Sequence, residues 1–265
     1  MRRFFVEDIS PQDAFVIIKG AEFVHLKKVL RLKQGAEIAV FNGAGLELSG
    51  TIEALEKGFA RVRVGRRVDG KNESPVEITV IQGLVKGHKP ELIIQKATEL
   101  GVQAVLFYGG ERSVPQINRT KNGRLIRWRK VAIEAAKQCG RAKVPAVSAV
   151  EGLQAAMESL FLEKGAGLLS ASGQADNATG SGGFIKLIFW EGADKKGVKE
   201  LLKGAHGCKQ VAALVGPEGG FTEAEIKEAV DRGFILAGLG PRILRSETAG
   251  IAAVAIIQYE LGDVN

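Results

Sequence analysis

Two glycine-rich stretches in the last quarter of the sequence carry the side chains best suited to chemistry. The first, Gly216-Pro-Glu-Gly-Gly220, follows the apolar run Val211–Val215. The second, Gly238–Ala249 (GLGPRILRSETA), follows Phe234–Ala237 and leads into an apolar helix, Gly250–Leu261. Each stretch is therefore predicted to be a loop at the carboxyl end of a strand, which is where open α/β sheets bind ligands.

The residues of these loops limit the kind of ligand. The dinucleotide fingerprint requires a third glycine where this sequence has Ile243, and neither loop contains the Gly-Lys-Ser/Thr of a P-loop. Glu218 and Glu247 would repel phosphate and would suit a ligand with a positive charge or several hydroxyl and amino groups. The alternative for the second loop is structural, because Ser246, Glu247 or Thr248 can also cap the final helix.

Composition sets the broad class. The chain has 265 residues, of which 45% are hydrophobic, and a formal net charge of +7. No apolar run reaches the ~18 residues that span a bilayer, and the amino terminus lacks a signal-peptide pattern. The two cysteines make no disulfide framework, so we expect a cytoplasmic protein. The charge indicates a polyanionic partner or, alternatively, only a solvated basic surface.

The chain is predicted to hold two domains. Residues 1–70 have short strands and tight turns, which favour a small β-barrel around one helix, Ala21–Arg31. A polar linker follows at 71–75, and residues 76–265 alternate strands with helices, which predicts a parallel α/β sheet. The Gly/Ser-rich stretch Gly165–Gly183 is predicted to be an inserted loop. The predicted strands of the first domain are Arg2–Val6, Glu37–Phe41, Leu46–Leu55 and Phe59–Val64. Those of the second domain are Val76–Gln82, Ala104–Phe107, Phe184–Trp190, Val211–Val215 and Phe234–Ala237. The predicted helices of the second domain are Pro90–Leu100, Arg124–Gly140, Leu153–Leu160, Val198–Lys203, one capped by Thr222, and the final helix.

Basic residues concentrate in two places. The segment 121–143 has eight basic residues against one acid, which is unusual for a solvated helix and favours contact with a polyanion. Within it, Glu134, Gln138 and Arg141 have the spacing of one helix face, either a surface pair or a polar face turned into a cleft. The cluster Lys27–Lys33 can likewise contact phosphates or remain solvated. The histidines lack metal-ligand spacing, so no metal is predicted.

Several long motifs, in order, resemble those of the SPOUT-class 16S ribosomal RNA (uracil N3)-methyltransferases. Two departures are Val24 in place of a histidine and Ser246 where threonine is commoner. The resemblance implies a PUA-like RNA-binding β-barrel followed by a SPOUT α/β domain with a trefoil knot, although knots are physically rare. The motifs are Met1–Val6, His25–Lys33, Leu92–Gly101, Glu111–Ser113, Ile133–Arg141, Gly216–Phe221 and Leu239–Ala249.

The resemblance also implies methyl transfer from S-adenosylmethionine, without a metal, to N3 of a uridine of 16S ribosomal RNA (uridine 1498 of the small subunit). Arg245 and, second, Arg112 are the candidates to stabilise the uracil anion, as catalytic residues. The expected cofactor-binding residues are Glu191, Leu214, Gly216, Pro217, Glu218, Gly219, Gly220, Leu239, Gly240, Ile243, Leu244, Ser246, Glu247, Thr248 and Ala249. The expected RNA-binding residues are Arg2, Arg3, Lys28, Arg31, Arg127, Gln138 and Arg141.

A homodimer is expected through the final helix, because that helix is apolar on nearly every face and needs a cover. Its interface core should include Ile256 or Ile257. The main alternative function is a non-catalytic RNA-binding protein, which explains the charge but not the two glycine-rich loops. A nucleotide-dependent oxidoreductase is disfavoured by the broken dinucleotide fingerprint.

Overall fold

The structure is a computed structural model that describes residues 1–68, 72–113, 121–160, 183–192, 196–205 and 207–264. The chain forms two compact units. The first comprises Met1–Glu73 with Ile133–Val144, and the second comprises Ser74–Ala132 with Pro145–Asn265. The contacts thus join a later segment, Ile133–Val144, to the amino-terminal unit. The predicted domain limits, 1–70, 71–75 and 76–265, stay a prediction.

The amino-terminal unit is built on a curled, mixed five-stranded sheet in the order β1-β3-β4-β5-β2. Strands β1 and β3 pair in parallel and the other pairs are antiparallel. Two register shifts in the β4–β5 pair bend the sheet, as bulges do, so that one face encloses the apolar core. The strands are β1 Arg2–Phe5, β2 Phe15–Lys19, β3 Glu37–Phe41, β4 Glu47–Leu55 and β5 Phe59–Arg67.

The predicted helix Ala21–Arg31 is confirmed over most of its length, but only its first half is an α-helix. A short α-helix, α1 (Gly20–Val24), runs directly into a π-helical turn, His25–Val29, closed by the Leu30 backbone N–H donating to the His25 carbonyl at 2.9 Å. Arg31 follows with φ 52°, the left-handed region that non-glycine residues rarely adopt. The spacing of the apolar residues is typical of a helix. In the second half of this helix, however, the backbone hydrogen bonds join residues five apart, where an α-helix joins residues four apart.

The carboxy-terminal unit contains a seven-stranded sheet in the order β10-β12-β9-β11-β6-β7-β8, with every pair parallel. The predicted parallel α/β architecture is confirmed. The strands are β6 Glu77–Gly83, β7 Ala104–Tyr108, β8 Ala146–Val150, β9 Phe184–Phe189, β10 Lys196–Gly197, β11 Gln210–Val215 and β12 Ile235–Gly238. The helices are α2 Lys89–Glu99, α3 Lys121–Cys139, α4 Leu153–Glu158, α5 Val198–Lys203, α6 Glu223–Asp231 and α7 Ser246–Leu261.

Three strands escaped the sequence analysis, β2, β8 and β10, and each lies at the edge of its sheet. The predicted insertion Gly165–Gly183 lies outside the described residues except for Gly183, and residue 71 of the predicted linker lies outside them as well. Within the part of the chain that the structure describes, no helix has the length and apolar character that crossing a membrane requires.

The helices that follow the two glycine-rich loops, α6 and α7, differ in how their first turns are capped. Thr222 caps α6 as predicted, in a capping box: its hydroxyl accepts from the Glu225 backbone N–H at 3.2 Å, and the Glu225 carboxylate accepts from the Thr222 N–H at 2.8 Å. Helix α7 starts at Ser246, four residues earlier than predicted, and its N-cap residue, Arg245, makes no side-chain cap. The interpretation of Ser246, Glu247 or Thr248 as the cap is therefore wrong.

Candidate active site

Three strand-end loops meet at one edge of the parallel sheet. Strand β9 lies between β11 and β12, so the carboxyl ends of all three strands point to the same side. Their loops enclose a cleft of about 470 Å³, and a smaller extension of about 90 Å³ shares five residues with it. The shared residues are Phe189, Glu191, Ile243, Leu244 and Ala249. This edge is where the sequence placed the ligand.

Most of the predicted cofactor-binding residues line this cleft or its extension. Leu214, Gly219 and Thr248 lie outside the lining, and Leu214 is wholly buried within strand β11. Of the two predicted catalytic residues, Arg245 lines the cleft and Arg112 does not. The predicted residues in the lining are Glu191, Gly216, Pro217, Glu218, Gly220, Leu239, Gly240, Ile243, Leu244, Arg245, Ser246, Glu247 and Ala249.

A buried hydrogen-bond network joins the two glycine-rich loops. The Ser246 hydroxyl donates to the Gly216 carbonyl and accepts from the Gln82 side-chain amide at 2.8 Å. Gln82 is fully buried at the end of β6, and its amide also lies within hydrogen-bond distance of the Gly83 and Gly216 carbonyls, at 3.2 and 3.3 Å. Ser246 therefore ties the start of α7 to the loop after β11. Gln82 is a site residue that the sequence analysis missed.

Close backbone approach also fixes the loop after β11. A Cβ atom built on Gly83 would lie 2.3 Å from the backbone nitrogen of Pro217, a distance that real Cβ atoms do not show. One built on Gly219 would lie 2.8 Å from the Arg112 Cβ. Glycine is needed at both positions because the opposing atoms belong to backbone or to the stem of a side chain. A strand-end glycine was the only sequence signal that could have identified Gly83.

A lysine on α2 bridges the two loops at the mouth of the cleft. The Lys89 ammonium pairs with the Glu218 carboxylate and, at 3.3 Å, with Glu247 Oε1. The hydrogen bond to Glu218 raises the pKa of Lys89, and the same bond lowers the pKa of Glu218. The other oxygen, Glu247 Oε2, is buried and has no hydrogen-bond partner among the described residues. A donor supplied by a ligand would satisfy it.

The two candidate catalytic arginines differ in what holds them. Arg112 donates to the Phe221 carbonyl at 3.1 Å and lies 3.4 Å from the Gly219 carbonyl, so it fastens the loop after β11. Arg245 is exposed and has no ion-pair partner in the described part of the chain. Its guanidinium is consequently the more available of the two to an anion in the cleft.

Carboxylates of the same unit already engage three of the predicted RNA-binding arginines. Arg3 is largely buried and pairs with Glu47 at 2.7 Å. Arg141 is 4% exposed and pairs with Glu73 at 3.1 Å. In the carboxy-terminal unit, Arg127 pairs with Glu91 at 3.1 Å and remains half-exposed, and it lies 2.9 Å from the His88 ring nitrogen. The remaining candidates are exposed, namely Arg2, Lys28, Arg31 and Gln138.

The proposed shared face of Glu134, Gln138 and Arg141 is wrong. Helix α3 ends at Cys139, and Gly140 takes φ 89°, so Arg141 lies beyond the helix. Its backbone carbonyl accepts from the Arg3 guanidinium at 2.9 Å. Arg3 and Arg141 are thus part of the packing of the amino-terminal unit, which argues against a role for them as phosphate contacts.

Comparisons with known proteins agree with this architecture. A model of the RNA methyltransferase domain family matches residues 72–258, and one of the RNA methyltransferase PUA domain matches residues 18–65. The ribosomal RNA small subunit methyltransferase E of Bacillus subtilis is 32% identical, covering 98% of this chain and 97% of that protein.

The chain belongs to the ribosomal RNA small subunit methyltransferase E family. The solved structure of the family member from Neisseria gonorrhoeae, bound to S-adenosyl methionine, matches with TM-score 0.83 and 30% identity over 100% of both chains. A Legionella pneumophila methyltransferase in complex with the cofactor SAM matches with TM-score 0.80 and 28% identity over 99% of this chain and 98% of that one. The family and fold class that the sequence motifs implied are confirmed, and the non-catalytic alternative loses its support.

Proposed function

We propose that this chain uses S-adenosylmethionine to methylate N3 of a uridine in 16S ribosomal RNA. The observation that carries the proposal is the cleft at the carboxyl ends of β9, β11 and β12, with Arg245 in its wall. The names of the relatives support the small-subunit RNA as substrate, and the two cofactor-bound relatives support the methyl donor.

The residues of the cleft fit this cofactor. S-Adenosylmethionine carries a sulfonium charge, an amino group and two ribose hydroxyls, and the cleft offers the carboxylates of Glu191, Glu218 and Glu247. The unpartnered Glu247 Oε2 would accept one of these donors. Ile243 is 82% exposed and lines both parts of the cleft, which gives an adenine ring an apolar surface. The main chain of 239–244 would bind the adenine edges.

The chain's own residues must lower the cost of removing the N3 proton. Loss of that proton leaves an anion spread over O2, N3 and O4 of the uracil, and the free guanidinium of Arg245 is the group that would stabilise it. The bound cofactor supplies an electrophilic methyl group as a sulfonium. Since an anion and a cation then give neutral products, exclusion of water from the cleft favours the reaction. Arg112 would act through the loop that it fastens.

The proposed reaction requires that the protein reach ribosomal RNA, so we place the protein in the cytoplasm. The proposed RNA contacts are Arg2, Lys28, Arg31, Arg127 and Gln138. The predicted knot and domain limits are retained as proposals.

A homodimer through α7 is part of the same proposal. One face of α7 packs against α2, α5 and the sheet of its own unit. The other face carries a stripe of residues at positions i, i+1, i+4, i+5 and i+8 that are not fully buried in the single chain. These side chains are hydrophobic, as a helix–helix interface requires. The stripe consists of Ile251, Ala252, Ala255, Ile256 and Tyr259. Ile257 is wholly buried within the single chain, so only Ile256 remains as the predicted interface isoleucine.

Two measurements test the function. Titration calorimetry should show binding of S-adenosylmethionine and none of NAD. Mass mapping of 16S RNA from a deletion strain should show loss of one methyl group on a uridine, and the purified protein should restore it on isolated small subunits. A fully methylated RNA in the deletion strain, together with no methyl transfer in vitro, would refute the proposal.

A further inference from the structure

A second cavity lies in the amino-terminal unit. It is a groove of about 830 Å³ on strands β4 and β5, and three arginines line it: Arg63, Arg66 and Arg67. All three are exposed, and none belongs to the residues that the sequence indicated as RNA contacts. The groove therefore lacks a role in the function described above.

The strand register sets residues of the groove side by side. Arg63 is paired with Thr51, and Thr51 is paired with Glu37 on β3, so these residues form a row across three strands. Gly50 and Gly65 lie in the same pair of strands, and a Cβ on either would come within 3.0 Å of a neighbouring side chain. Glycine is therefore required at both positions by the packing of the two strands against each other.

The arginines of this unit divide into two groups. Arg3, Arg61 and Arg141 each pair with a glutamate, at 2.7, 2.8 and 3.1 Å. In contrast, Arg63, Arg66 and Arg67 have no ion-pair partner in the described part of the chain. Glu37 is the one carboxylate among the groove residues, so the groove keeps a net positive charge.

We propose that this groove of the amino-terminal unit binds the phosphate backbone of the RNA substrate. Arg63 and Arg67 are four residues apart on a strand, about 13 Å. A single small anion cannot neutralise charges so widely spread, whereas an extended polyanion can. Phe15, which is 46% exposed, is paired with Arg63, and the Arg61 guanidinium lies over its ring at 5.4 Å from the centre. The face of the ring that Arg61 does not cover can stack on a base. Those features, and the match to an RNA methyltransferase PUA domain, favour RNA over an acidic protein.

This proposal rests on the proposed function for the identity of the RNA, and salt dependence tests it separately. The affinity of the full chain for transcribed 16S RNA is measured by filter binding at several salt concentrations. The quantity compared is the slope of log affinity against log salt concentration. In the triple variant Arg63→Gln, Arg66→Gln, Arg67→Gln this slope should become less steep by about 2–3, because each lost phosphate contact removes about 0.7–0.9. At about 0.1 M salt the same loss weakens binding on the order of 100-fold.

Two matched variants control the experiment. Arg61→Gln removes an arginine of the same strand that is already paired with Glu53, and it should leave the slope unchanged. The triple lysine variant at the three groove positions keeps the charges and should keep the slope. Unchanged S-adenosylmethionine affinity and melting temperature would show that the glutamine variant is folded.

The outcomes separate the two proposals. An unchanged slope in the glutamine variant, or an equal loss in the lysine variant, would overturn the groove proposal while methyl transfer by the wild type still stood. A glutamine variant that keeps RNA affinity but loses affinity for poly-glutamate would point to an acidic protein and would also overturn it. A wild type that binds RNA through these arginines but transfers no methyl group would overturn the proposed function alone.

Discussion

Removing the Ser246 hydroxyl tests whether the two loops of the cleft depend on one buried network. In Ser246→Ala, the Gly216 carbonyl loses its hydroxyl donor and the Gln82 amide loses an acceptor at 2.8 Å. Neither group is left without a neighbour, because the Gln82 amide still lies 3.2 and 3.3 Å from the Gly83 and Gly216 carbonyls. We therefore expect a loss of unfolding free energy of about 1–2 kcal/mol, below the ~3 kcal/mol of a fully unsatisfied buried group.

The same substitution should weaken the binding of S-adenosylmethionine. If the cofactor requires the joined arrangement of the loops, up to about 1.4 kcal/mol of the loss appears in binding, which is a tenfold higher Kd. Urea unfolding and titration calorimetry measure the two effects. Ser246→Thr keeps the hydroxyl and should recover most of both. A Ser246→Ala protein with wild-type stability and wild-type affinity would show that the network does not hold the site together.

Three further changes give distinct readouts. Gly240→Val should abolish S-adenosylmethionine binding in calorimetry, because Gly240 lines the cleft at φ 105°. Gly58→Val, at φ 100° in a hairpin of the amino-terminal unit, should keep the binding, and equal affinities of the two variants would refute the placement of the cofactor. Ile256→Glu should give a monomer with little methyl transfer, and a monomeric wild type at micromolar concentration in sedimentation would contradict the dimer. Lys89→Gln should raise the pKa of Glu218 toward its usual value in an NMR titration, because the lysine lowers it. Stability that the ionised Glu218 contributes is present at neutral pH and is lost as the pH falls through its lowered pKa. In the variant the folded and unfolded pKa values of Glu218 nearly coincide, so this acid-side loss of stability should shrink. An unchanged pKa would show that the bridge does not form in solution.

Local patterns predicted the elements whose limits depend on their own residues. The alternating strand Glu37–Phe41 and the short helix Val198–Lys203 have the limits that the sequence indicated. Strand β2, Phe15–Lys19, was missed because its partner is β5, more than 40 residues further along the chain, and no hairpin turn joins the two strands. The π-helical turn His25–Val29 depends on a shift of one hydrogen bond, which the apolar spacing does not reveal.

The residues of the candidate site also fall into two groups, those that local sequence patterns predict and those that they do not. The residues of the two glycine-rich loops were predictable, because loop composition and position after a strand are local properties. Gln82, Gly83 and Lys89 were not, since they precede those loops by more than 120 residues. They enter the site because β6 pairs with β11 in a register that sets Gln82 beside Val215. Knowledge of the strand order would have been required to find them.

The charge of the chain illustrates the limit of composition as a guide to RNA binding. A net charge of +7 and a run of basic residues predicted a polyanionic partner, but they assigned equal weight to every arginine. The positions of the glutamates decide which arginines are available to bind RNA. Glu47 and Glu73 hold Arg3 and Arg141 within the amino-terminal unit, where the guanidinium groups are largely buried and donate to protein oxygens. An arginine so engaged cannot contact phosphate without leaving a buried carboxylate unpaired, which costs more than an exposed contact returns. Arginines without such partners can bind RNA at no comparable cost, so pairing, and not abundance, marks the surface where the substrate should be held.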